Sequence, residues 1–165
     1  MAGLAHDRLI APGVVLVVTI RRDGAPRLSP VEPFVLDDDL WLSMMWQSRK
    51  ATDLLRDDRI LVHSITTTSD GNEGELKVRG RAMAIDDPGT RARYCDAVAV
   101  LGWRPVEPYF HLFRVEIADV TFIRYETTGD QRVAKWPPAA EFVRRATSPT
   151  SVGAEEPLLD LFRPE

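Results

Sequence analysis

The sequence predicts a β-dominated α+β domain whose mostly antiparallel strands curl into a barrel-like sheet with short inserted helices. Three observations predict it. Short β-branched or alternating runs recur along the chain, turns bearing glycine and aspartate separate them, and two helical stretches interrupt them without a repeating βαβ rhythm. A length of 165 residues suits one domain with a continuous core.

Residues 13–20 (GVVLVVTI) form an apolar run of strand length, and RRDG turns the chain through Asp23-Gly24. Residues 25–36 alternate through Leu28, Val31 and Phe34 but carry Pro26, Pro30 and Pro33, which predicts an irregular or edge strand with a bulge. Asp37, Asp38 and Asp39 turn into LWLSMMW, where Leu40, Leu42 and Met44 share one face and Trp41, Ser43 and Met45 the other, completing a three-stranded meander. SRKATDLL predicts a short helix, with Ser48 able to cap its start and Ala51, Leu54 and Leu55 as its apolar stripe. Residues 59–68 and 75–85 flank the loop SDGNEG as a second hairpin. Asp87 before Pro88 starts a second helix with Tyr94, Val98 and Leu101 on its apolar face, and Gly102 ends it. FHLFRVEI, DVTFIRYE and QRVAKW follow, for about eight short strands in all. Residues 1–137 are therefore the barrel domain. Residues 138–165 read as a tail, rich in Pro, Ser, Thr and Ala until PLLDLF, that docks on the barrel or on a partner.

The 44% hydrophobic and 28% charged content is that of a soluble globular chain, and no stretch approaches the roughly 18 apolar residues of a membrane span. The start, MAGLAHDRLIAPGVV, lacks a basic segment followed by an apolar run and a small-residue cleavage site, so the expected location is the cytoplasm. A formal charge of −4 argues against nucleic acid and acidic membranes as partners. Cys95 stands alone and reads as a buried, inert thiol. His6, His63 and His111 lack metal-ligand spacing, and the three consecutive aspartates read as a solvated turn, so no metal site is assigned. No nucleophile elbow, phosphate loop or dinucleotide fingerprint follows a strand, which leaves the reactivity to a cofactor.

The succession DGAPRLSPV, DDDLWLSMM and SRKATDLL resembles the pyridoxamine 5′-phosphate oxidase-like superfamily over residues 15–85. The resemblance implies a split β-barrel, flavin mononucleotide (FMN) bound at a homodimer interface, and redox chemistry on a small-molecule substrate. An 8-hydroxy-5-deazaflavin coenzyme is the alternative cofactor, and a non-catalytic cofactor- or haem-binding module the alternative role. It implies Arg27, Arg49 and Lys50 as the phosphate grip with Ser48 at the helix start, and Ser29, Pro30, Val31, Ser43 and Met44 along the ring or ribityl chain.

The residues support the same grip physically. Taken singly, Ser48 is a cap and the three basic residues are solvated charges. Together, they place cations in a first helical turn where they oppose the helix dipole, an arrangement that suits an anion between them. Arg27 on the adjoining strand would add a planar fork for phosphate oxygens. Glu32 stands where pyridoxamine phosphate oxidases tend to carry a second basic residue, and Met44 where a hydroxyl side chain is common. A C-terminal arginine and histidine matching those that grip pyridoxal phosphate are missing, so oxidation of vitamin B6 is not expected. No catalytic side chain is assigned, because the flavin would carry the reactivity. A homodimer also gives the apolar PLLDLF a surface to cover.

Overall fold

The computed structural model describes residues 2–158. Ten strands and three short helices follow one another as α1 (Ala2–Ala5, continued by a wider turn over His6–Ile10), β1 (Val15–Ile20), β2 (Pro26–Val31), β3 (Pro33–Leu36), β4 (Asp39–Met45), α2 (Arg49–Arg56), β5 (Arg59–Ser64), β6 (Glu75–Ala84), α3 (Pro88–Val98), β7 (Phe110–Tyr125), β8 (Gln131–Trp136), β9 (Ala140–Ser148) and β10 (Ser151–Pro157). Every strand pair is antiparallel. The fold is a β-dominated α+β split barrel.

Its sheet runs β10-β9-β8-β7-β6-β5-β1-β2, and β4 joins β7 to β3. The branch is possible because β7 is long enough to serve two partners on one edge: β4 along 110–115 and β8 along 120–125. On its other edge β7 pairs with β6 along 113–123, with a register shift between Arg79 and Gly80. Gly80 is needed there, since a Cβ at that position would collide with the carbonyl of Glu116.

The barrel interior follows from strand alternation. Val15, Val17, Leu42, Ile60, Val62, Leu76, Val78 and Phe113 face inward, and Ala51 and Leu54 of α2 pack on the same core with Leu9. A second core lies under α3, where Tyr94, Cys95 and Val98 meet Trp41, Phe110 and Leu112. Asp87 caps α3 through Thr90 N at 2.7 Å, with Pro88 in the first turn.

Several expectations are corrected. Residues 25–36 are two strands, because the chain bends at Glu32 and β3 pairs with β4 instead of continuing beside β1. The expected three-stranded meander is thereby two hairpins. FHLFRVEI and DVTFIRYE are one strand, and the strand begun at Arg59 ends at Ser64. The stretch after Pro137 extends the sheet by β9 and β10 as far as Pro157, and Leu158 N donates to Glu141 O at 3.0 Å. Leu159, Leu161 and Phe162 of the PLLDLF cluster lie outside the described residues.

Two carboxylates, Asp70 and Glu73, organise the loop between β5 and β6, and Glu73 gathers the more distant partners. Glu73 accepts from the backbone of Thr68 at 2.9 Å, from the backbone of Thr67, and from Arg8 at 3.2 Å. The Thr68 amide above all, with Thr67 and Arg8, holds its carboxyl at about 2 against the opposing effect of desolvation. A folded value below the ordinary one means that Glu73 stabilises the fold above the unfolded pKa of about 4.3, and that this contribution is lost as pH falls toward the folded value. Thermal unfolding followed by circular dichroism should therefore show Glu73→Gln melting below wild type near neutral pH, with the gap closing as the solution is acidified through that window. A gap independent of pH would contradict this account of the loop.

Candidate functional site

Helix α2 divides two clefts because successive residues rotate by about 100° around its axis. Ala51 and Leu54 point into the barrel, which leaves Arg49, Thr52, Asp53 and Arg56 on one flank and Leu55 on another.

The first flank forms one wall of an open cleft of about 880 Å³, and the β1–β2 hairpin supplies the other with Arg21, Arg22, Asp23 and Arg27. Five arginines thus face two aspartates. Asp53 lies deepest, only 4% exposed. Its Oδ2 accepts from Arg27 Nε at 2.7 Å and from Thr19 Oγ1 at 3.1 Å, and its Oδ1 from Arg56 Nη1 at 3.3 Å. Thr19 and Arg27 reach the same oxygen because they are cross-strand partners in β1 and β2. Burial pushes the Asp53 carboxyl up, but the hydrogen bonds from Arg27, Thr19 and Arg56 outweigh it and hold the pKa below the usual value. The bond through Nε leaves both terminal amino groups of Arg27 without a partner among the described residues. The Arg49 side chain likewise has no ion-pair partner among them.

On the opposite flank, Leu55 lines a smaller cleft of about 260 Å³ with Trp46, Ile85, Phe110 and His111. The His111 ring stacks on Trp46 with centroids 4.5 Å apart and planes 9° from parallel. Its Nε2 accepts the backbone N–H of Gln47 at 3.2 Å, which requires an unprotonated Nε2. Burial, and then the nearby Arg91, lower its pKa against a smaller opposing effect of Asp86.

The predicted residues separate between these surroundings. Arg27 and Arg49 meet in the basic cleft. Lys50 does not line it; its Nζ donates to Pro30 O at 2.9 Å and fastens α2 to the end of β2. Ser48 precedes α2 but makes no side-chain cap, and its Oγ is buried without a partner. Ser29 and Val31 lie on the same face of β2 as Arg27, whereas Pro30 faces outward. Val31 and Met44 are buried in the barrel core, and Ser43 is half-buried on β4. Glu32 is exposed at the bend between β2 and β3. Sequence reasoning missed Thr19, Arg21, Arg22, Asp53 and Arg56. The spacing of Arg49, Asp53 and Arg56, four and three residues apart on a helix, already signals one shared face.

The sequence profile described as pyridoxamine 5′-phosphate oxidase matches residues 4–124. The chain belongs to this family. The match ends within β7, so β8, β9 and β10 lie beyond the part the family defines. No curated protein matches the chain. Among solved structures, a conserved hypothetical protein from Mycobacterium tuberculosis aligns with TM-score 0.60 at 19% identity, covering 72% of this chain and 81% of that one. A haem-binding protein from Mycobacterium smegmatis aligns with TM-score 0.56 at 19% identity, covering 72% and 52%. An F420 reductase aligns with TM-score 0.53 at 19% identity, covering 70% and 94%. At these identities the likeness is one of fold. Among the described residues no group of three or more His, Cys, Asp or Glu is placed to hold a metal ion, and no helix is long and apolar enough to cross a membrane.

Carbon-detected NMR titration of the side-chain carboxyls checks the electrostatics of the cleft. Asp53 should titrate below the usual aspartate value of about 3.9 and should rise when Arg27 is replaced by alanine. An Asp53 value above the usual range would mean that burial, and not the arginines, governs the group.

Proposed function

We propose that this family member is a flavin-dependent oxidoreductase that holds FMN by its phosphate in the arginine cleft. The observation that carries the reading is the pair of cations left available there: the terminal amino groups of Arg27 and the guanidinium of Arg49, on facing walls of one cleft. Guanidinium forks match phosphate oxygens, and the cleft concentrates positive charge on a chain whose overall charge is −4. Ser48 Oγ is buried and unpartnered where α2 begins, an orphaned polar group next in sequence to the cleft residue Arg49. When bound, the flavin would supply hydride or electron exchange with a small substrate. The chain's part is to fix the phosphate, to present Ser29 and the neighbouring face of β2 and β4 to the rest of the cofactor, and to limit water there.

A second copy of the chain would complete the site. Leu28, Met45 and Trp46 are 61%, 80% and 48% exposed around β2 and the approach to α2, and these apolar side chains suit a homodimer seam better than open water. The protein is proposed to act in the cytoplasm on a small-molecule substrate.

One observation favours a second cofactor. Arg21, Arg22 and Arg56 extend the basic wall beyond what one phosphate needs, which suits the longer anionic tail of the 8-hydroxy-5-deazaflavin coenzyme; an F420 reductase shares the fold. The haem alternative has less support, since His63 is bonded to Ser64 O and to Glu75 on its two ring nitrogens, and His111 Nε2 holds Gln47.

Fluorescence titration of FMN, and separately of the deazaflavin coenzyme, tests the reading in wild type, Arg27→Ala, Arg49→Ala, Lys50→Ala and the surface control Arg93→Ala. Charged hydrogen bonds contribute about 1.5–3 kcal/mol each, so Arg27→Ala and Arg49→Ala should weaken the true cofactor roughly ten- to a hundredfold. Lys50→Ala should cost less and Arg93→Ala nothing. Unchanged affinity of the Arg27 and Arg49 variants for both cofactors would overturn the assignment.

A further inference from the structure

We infer that Asp53 is a positioning residue for the anion site, holding Arg27 by its Nε so that both terminal amino groups stay available to a phosphate in the cleft. The inference rests on the phosphate reading above.

A carboxylate on the floor of an anion site is at first sight out of place, because it repels the ligand the arginines attract. The geometry explains its presence. Asp53 is itself fixed from two directions: by Thr19, fully buried on β1, and by Arg56 one helical turn along α2. Arg56 is fixed in turn by donating to Ile20 O. The carboxylate is therefore a rigid point, and Arg27 is tied to it at 2.7 Å through Nε, which leaves its two terminal nitrogens as the end-on pair for a bidentate contact with a ligand. A long side chain that would otherwise sample many rotamers is ordered before any ligand arrives, so less freedom is lost on binding. Asp53 would not itself touch the phosphate and would act only through Arg27.

Two accounts of Asp53 predict opposite signs. If it is merely a negative charge in the wall, removing it makes the cleft more positive and tightens anion binding. If it positions Arg27, removing it loosens anion binding although the cleft gains positive charge.

The experiment compares FMN with riboflavin, which lacks the phosphate, in wild type, Asp53→Ala, Arg27→Ala and the double variant, with melting temperatures recorded alongside. The ratio of the two affinities reads the phosphate grip, and a general loss of structure would lower both affinities together. Asp53→Ala should cut the preference for FMN about tenfold, leave riboflavin binding unchanged, and have no further effect in the Arg27→Ala background. If Asp53→Ala does not fold, Asp53→Asn keeps the volume but weakens the hold on Nε, and should shift the ratio in the same direction by about threefold. A preference that is unchanged or increased, or that falls equally without Arg27, overturns the inference. If wild type binds riboflavin as tightly as FMN, the phosphate reading itself fails. If wild type prefers FMN and Arg27→Ala loses that preference while Asp53→Ala keeps it, only the inference about Asp53 fails.

Discussion

Asp53 has almost no access to water, and a carboxylate can be taken out of water only where donors and cations surround it. Here the surrounding groups come from separate elements: Thr19 from β1, Arg27 from β2 and Arg56 from the same helix. One buried charge thus ties the first hairpin to α2 and sets the width of the cleft between them. The apolar residues of α2 dock the helix on the barrel without specifying how far it lies from the hairpin arginines. The polar contacts add that specification, since each has a required distance and direction.

The division made by α2 is chemical as well as geometric. The flank carrying Arg49 faces charge, and the flank carrying Leu55 faces the stacked Trp46 and His111. The aromatic side is held together by the neutral form of His111, whose Nε2 secures the Gln47 amide just before α2. Local environment therefore matters more here than the chain's net charge.

Much of this was legible in the sequence because the strands alternate and their turns are marked. Asp87-Pro88 announces α3, and SRKATDLL announces α2. The failures have physical causes. Glu32-Pro33 hides a change of pairing partner inside what reads as one irregular strand, since Pro33 has no N–H with which to continue the ladder. β7 was divided because Val115 and Val120 are both buried although an odd number of residues apart, and the irregular pairing with β6 lies between them. Residues 140–157 are rich in polar and small residues, so only the pairing of β9 with β8 and of β10 with β9 identifies them as strands. Arg27 and Arg49, which both line the cleft, are read from the order of their motifs. Asp53 was passed over because a lone acid in an amphipathic helix gives no sign that it is buried until the hairpin is placed against it.

A crystal structure of the chain with FMN tests the central claim most directly. The account places the phosphate in the cleft between the hairpin and α2, within about 3 Å of the terminal nitrogens of Arg27, with the Arg27 Nε contact to Asp53 intact. A phosphate seated on the other flank of α2, beside Trp46 and His111 and away from Arg27 and Arg49, would contradict it.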